Sequence, residues 1–212
     1  HPDIALSLSN LGSVLQSMGR YREAEELDRQ ALAIYETVLP ANHSTTATVL
    51  NNLAMVMQRQ ERFEEAAEFN LRALEMREAV LPPDHPLIAM SLSNLASVLQ
   101  NLDQHEIAEE MHRRALAIQE RALPEAHPDI AQGAENLAIF LGALKGDYEE
   151  ALSLLGRSAD ILTARQNRAT VAYRGWRERA FFRSAFGEAM WLRDGLDGVA
   201  AMRAARRGAF VD

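Results

Sequence analysis

Three kinds of side chain recur in this sequence at spacings that could support chemistry. His1, His43, His85 and His127 stand 42 residues apart, and imidazole is a common metal ligand. Paired carboxylates recur at Glu25-Glu26, Glu64-Glu65, Glu109-Glu110 and Glu149-Glu150; such a pair can divide acid from base work if a pocket drives the two pKa values apart. Carboxamides recur at Asn10, Asn52, Asn94 and Asn136, and an amide side chain both donates and accepts, matching an extended peptide backbone. Spacing decides among these. Each histidine opens a different unit, so neighbours lie one repeat rise apart and cannot share a coordination sphere. The acid pairs appear in every unit and read as a solvated outer face. Only the carboxamide lane is left as a candidate contact. There is no Cys, no Ser/His/Asp arrangement, no Gly-rich phosphate loop and no metalloprotease motif. The reading is a non-enzyme with no catalytic residue, no metal and no cofactor.

A fixed period in this range marks a solenoid, in which each unit buries its apolar face by stacking on the next. In residues 1–42, His1-Pro2-Asp3 reads as a helix start, with Pro in the first turn and Asp at the positive end of the dipole. Ile4, Leu8, Leu11 and Leu15 follow at helical spacing and form one expected apolar face. Gly19 then offers a left-handed turn. A second run places Ala24, Leu27, Ala31, Ile34 and Val38 on one stripe before Leu39-Pro40 breaks it. Each unit is therefore an antiparallel helical hairpin, with one helix of about 16 residues and one of about 18. The turns at Gln60-Glu61-Arg62 and Leu102-Asp103-Gln104 lack the glycine and must make the same turn at some cost. The fourth unit carries one extra residue between Gly142 and Asp147, and its second helix has no Leu-Pro terminator.

The expected architecture is all-α, an α-solenoid with C-terminal capping helices. Four repeats occupy 1–42, 43–84, 85–126 and 127–162, and a helical cap or junction segment occupies 163–212. The 212 residues are 48% hydrophobic and 6% aromatic, which suits helices packed through small side chains. No apolar run approaches the roughly 18 residues that span a bilayer. Net charge is −8, with +5 in residues 163–212 and the balance of −13 in the repeats; an acidic array argues against nucleic acid as its partner. Residues 163–212 alternate Arg165, Arg168, Arg174, Arg177, Arg179 and Arg183 with Trp176, Phe182, Phe186 and Met190. That pattern reads as an amphipathic helix that caps the array, meets a further domain or self-associates. The chain opens on His1 in phase with the repeat, as a segment of a longer protein would; a cytoplasmic location is the expectation.

The stretch HPDIALSLSNLGSVLQSMGRYREAEELDRQALAIYETVL resembles the tetratricopeptide repeat in its 42-residue form, known from kinesin light chains, and so do the next two units. Leu11, Gly12, Tyr21, Ala24 and Ala31 stand where that family places packing residues. Asp28, Asn70 and His112 stand where it usually has an aromatic, which implies looser packing there; His105 replaces its Tyr or Phe. LLGRSADILTARQNRA and the Arg- and Phe-rich stretch after it are similar to the junction where such repeats precede a caspase-like CHAT protease domain in bacterial proteins. The cysteine that domain needs is absent from this chain.

The resemblance implies a concave surface lined by the first helix of each hairpin, with the Asn10 lane contacting bound peptide. Candidate groove residues are Asn10, Asn52, Asn94 and Asn136, with Ser13, Asn51, Met55, Gln58, Arg59, Ser97, Gln100 and Asn101 beside them. Arg59 is the one cation in the central groove, so a clamp for a terminal carboxylate is not expected. The same asparagines could instead bridge neighbouring helices. The function expected is a scaffold for an extended peptide or protein segment. The alternative is a regulatory or sensor arm of a larger signalling protein.

Overall fold

In the computed structural model of the chain, residues 1–168 are described. They form helices α1 (Pro2–Ser17), α2 (Tyr21–Val38), α3 (Ser44–Arg59), α4 (Phe63–Val80), α5 (Pro86–Asn101), α6 (His105–Ala122), α7 (Pro128–Phe140) and α8 (Tyr148–Arg168). No strand occurs among the described residues, and no helix among them is long and apolar enough to cross a membrane. The expected amphipathic helix around Trp176, Phe182, Phe186 and Met190 lies outside the described residues.

The period acts first at the helix starts. In each unit the histidine is the N-cap. His1, His43, His85 and His127 accept at Nδ1 from the backbone N–H of Asp3, Thr45, Leu87 and Asp129, at 3.4, 3.2, 3.1 and 3.2 Å. Each bond satisfies one of the donors that a helix start leaves unpaired.

The hairpin turns follow the same economy. Backbone N–H groups of Arg20, Arg62 and Gln104 return to the carbonyls of Leu15, Met57 and Leu99 at 2.9, 2.9 and 3.0 Å, the bond that closes a helix through a left-handed residue. Gly19 supplies that residue in the first hairpin, with φ +75°. Glu61 and Asp103 supply it in the second and third at φ 60° and 56°, at a cost of about 1 kcal/mol each relative to glycine.

Contacts divide the chain into two compact units, His1–Ile118 and Gln119–Asp212. In the first, α2 lies on α3 and α4 on α5, beside the pairing of each hairpin. Its core joins Ala24, Leu32, Tyr35, Leu50, Leu53, Val56 and Met57. The apolar face expected of α1 is only partly used, since Leu15 is buried while Ile4 and Leu11 are 56% and 50% exposed. The corresponding Leu53, Ile88 and Leu95 are buried, because α2 covers α3 and α4 covers α5, and among the described residues no second helix precedes α1.

Charge marks the seams. Arg72 pairs with Glu36 and Arg114 with Glu78, at 2.6 and 2.5 Å. In the second unit Arg157 holds Glu120 in the same way. The extra residue of the fourth repeat is absorbed by a π-helical turn at Leu141–Lys145, the form an insertion takes inside an α-helix. Gly146 follows at φ +72°, and α8 runs on past Leu162.

Candidate binding surface

The candidate groove residues fall into two groups once their neighbours are known. Asn51 is not on the surface. It is 4% exposed, and its Nδ2 donates to Oδ1 of Asn70 at 2.9 Å inside the second hairpin. The position faces the second helix of its own repeat, so Asn51 is corrected from groove residue to hairpin core. Gln100 is half-buried and its Nε2 lies 2.7 Å from Nε2 of His112. An amide nitrogen can only donate, so the ring nitrogen accepts and the imidazole is neutral.

Others join neighbouring first helices. Asn52 on α3 donates to Oγ of Ser9 on α1 at 3.4 Å. Gln58 on α3 donates to Oγ of Ser97 on α5 at 3.2 Å. These are bridges of the kind short polar side chains form readily, and each is worth about 1 kcal/mol. Ser13 and Asn101 bond back to carbonyls of their own helices, those of Ser9 and Ser97. In the second unit Asn136 accepts from Gln132 on the same helix at 3.0 Å.

What is left open to solvent is a smaller set. Asn10 is exposed and Asn94 half-buried, and no hydrogen bond to either side chain occurs among the described residues. Met55 is 47% exposed and Met90 41%. Arg59 is exposed at the end of α3. The first helices of the first unit therefore present free carboxamide and thioether groups, with Arg59 the charge at the C-terminal end of α3.

Behind this surface runs a lane that was legible in the sequence only as a departure. Asp28, Asn70 and His112 are 0%, 2% and 3% exposed. Each meets a polar residue of its first helix: Gln16 to Asp28 at 3.2 Å, Asn51 to Asn70, Gln100 to His112. These sites are not loosely packed aromatic positions. They are filled by paired polar groups. Burial pushes the Asp28 carboxyl up to about 6, against the lowering effect of Gln16 and Ser9. Burial pushes the His112 imidazole down to about 4. Gly12 makes room for Asp28, since a Cβ there would lie 2.9 Å from Oδ1.

A further buried cation gave no signal in the sequence. Arg77 on α4 is 1% exposed and donates to Oγ of Ser91 and the carbonyl of Leu87 on α5, at 2.6 and 3.2 Å. Desolvation lowers its pKa.

This fold of helical hairpins recurs in known proteins. The chain matches the tetratricopeptide repeat over residues 3–79 and 87–164. The chain belongs to the tetratricopeptide repeat family. Among solved structures, a Podosopora anserina protein described as a kinesin light chain with nearly identical TPR-like repeats is 23% identical. The alignment covers 100% of this chain and 99% of that one, with a TM-score of 0.77. BtubC (BKLC) from P. vanneervenii is 21% identical over 97% of this chain and 80% of that one, with a TM-score of 0.79. The apo form of RapI is 18% identical over 99% of this chain and 52% of that one, with a TM-score of 0.74. At these identities the likeness is one of fold. No curated protein matches the chain. As a tetratricopeptide repeat protein, the chain is a protein-interaction scaffold.

Proposed function

We propose that the first unit holds an extended peptide segment along α1, α3 and α5, with Asn10, Asn52 and Asn94 as its backbone-reading lane and Met55 and Met90 as its apolar contacts. Asn136 holds the same place on α7 within the second unit. The observation that carries this reading is the free state of Asn10 and Asn94 beside neighbours that are already bonded. A carboxamide with both its donor and its acceptor unspent can take both from a peptide group. The surface also favours a segment of low charge, since Arg59 is its cation and its remaining groups are neutral.

The test separates contact from scaffolding. The chain is used to select binders from a random-peptide display library, and the enriched peptide is then titrated against variants. Asn10→Ala with Asn94→Ala should weaken that peptide about tenfold or more, as two lost hydrogen bonds would. The melting temperature should barely move. Unchanged affinity, or a loss of stability that accounts for the loss of affinity, would remove the groove reading.

A further inference from the structure

Asn52 is the member of the carboxamide lane that is tied to a buried carboxyl. Its amide is half-buried, and Nδ2 donates to Oγ of Ser9 on α1 at 3.4 Å. Ser9 is 8% exposed and stands one turn before Gly12, where the missing side chain makes room for Asp28. The Ser9 hydroxyl bonds in turn to the Asp28 carboxyl, and Gln16 Nε2 donates to Oδ2 of that group at 3.2 Å. Oδ1 is buried without a partner. A chain of hydrogen bonds thus runs from a groove amide, through one hydroxyl, to a group that can take up a proton. The second hairpin has no such chain. Asn51 stands at the place of Ser9 and spends its Nδ2 on Asn70, which does not titrate.

A hydroxyl has one hydrogen to give and two lone pairs with which to receive. An ionised Asp28 only accepts, so Ser9 gives its hydrogen to the carboxylate and receives Nδ2 of Asn52. The Oδ1 of Asn52 and its second N–H are then left for a ligand. A protonated Asp28 is itself a donor, and in a buried place its O–H needs an acceptor. Ser9 Oγ supplies one and turns its own hydrogen towards Asn52. Two donors cannot face each other, so the amide turns over. Oδ1 then accepts from Ser9, and both N–H groups of Asn52 are offered outward.

Other charges stand apart from this chain. The packed helices bring His1 and Asp3 at the start of α1, and His43 and Arg59 at the two ends of α3. On α2 itself Glu25 and Arg29 pair at 2.9 Å, and from α4 Glu65 pairs with Arg62. None of these acts on the Asp28 carboxyl, whose ionisation is governed by burial and, against it, by Gln16 and Ser9.

We propose that Asp28 is a positioning residue for the groove, and that through Ser9 its protonation state sets which face of the Asn52 carboxamide is offered to a bound peptide. This role rests on Asn52 contacting peptide, as proposed above. Burial pushes the Asp28 carboxyl up to about 6, so the amide turns over between neutral and mildly acid solution.

The first measurement needs no peptide. In the isotope-labelled full chain, the Asn52 side-chain amide resonances are assigned by their absence from Asn52→Ala. They should move with pH through a midpoint of about 6, while those of Asn94 stay in place. Ser9→Ala should abolish the movement, and Asp28→Asn should hold the resonances fixed. The second measurement uses the display-selected peptide, enriched near pH 7.5. Near pH 5 it should bind about fivefold more weakly, the worth of one hydrogen bond, and the difference should vanish in Ser9→Ala and in Asp28→Asn. Denaturant melts at both pH values check that each variant is folded. An Asn52 amide that does not titrate, or that still titrates in Ser9→Ala, overturns the proposal and leaves the groove reading standing. So does a pH-independent affinity for a peptide that Asn52→Ala weakens. Failure to select any peptide removes the groove reading alone, and the amide titration still decides whether Asp28 sets Asn52.

Discussion

Hairpins one and three carry opposite ionisable groups in the same place. Asp28 on α2 and His112 on α6 stand two periods apart, both buried and both facing a glutamine of the first helix. The period determines where each side chain goes. Burial determines which protonation state it prefers, and in both cases that is the neutral one. A neutral acid and a neutral base fail at opposite ends of the pH scale. Hairpin two, with Asn51 and Asn70 in the equivalent pairing, has nothing there to titrate. Stacked units of nearly identical backbone can thus differ in their response to acid through one residue each.

The largest effect is expected at His112. Its pKa in the fold is depressed from 6.5 to about 4, so its contribution is complete above pH 6.5 and is lost as pH falls through about 4. The full shift corresponds to about 3 kcal/mol in the acid limit. His112→Phe should flatten the decline in stability between pH 6.5 and 4 relative to the parent chain, as read by denaturant melts. Amide exchange should place the change in α5 and α6. An equally steep decline in the variant would show that His112 is not the group that titrates.

Asp28 should behave in the reverse sense and slightly more weakly. Its pKa is raised from 3.8 to about 6, so its contribution is present below pH 3.8 and is lost as pH rises through about 6. Asp28→Asn keeps the size and removes the charge. Near pH 8 it should stabilise the chain by up to about 3 kcal/mol, and near pH 3.5 it should change little. A variant less stable than the parent at pH 8 would contradict a buried carboxylate held against its preference.

The smallest effect, and the control for both, is in hairpin two. Asn51→Ala leaves the Asn70 acceptor buried without its donor and should cost about 1–2 kcal/mol. That cost should be the same at pH 4 and pH 8. A pH-dependent cost would mean that coupling to neighbouring repeats, rather than the local group, sets the slopes seen in hairpins one and three.

Much of this fold could be read from the residues. Gly19, Pro40 and the periodic Leu and Ala set helices of 16 and 18 residues, and those lengths recur in the first three hairpins. Glu61 and Asp103 take the turn expected of them without glycine. The surface was less legible. A period tells which positions are equivalent but not how far a helix is rotated within its hairpin. Adjacent positions lie about 100° apart around a helix, and that step separates Asn51, buried against Asn70, from Asn52, which reaches α1. Asp28, Asn70 and His112 look like weakened aromatic sites until Gln16, Asn51 and Gln100 are seen opposite them. Ile4 and Leu11 satisfy the apolar pattern, yet their burial depends on a neighbour that the pattern does not contain.

The π turn at Leu141–Lys145 bears on how such a chain tolerates changes of length. Glu36 and Arg72 are 36 residues apart, as are Glu78 and Arg114, whereas Glu120 and Arg157 are 37 apart. The added residue lies between those last two partners, and they still meet. A wider loop of helix works like a pleat in cloth, taking up surplus material so that the hem on either side keeps its line. Adjacent helices sense where a side chain arrives and are indifferent to how much backbone was spent in getting it there.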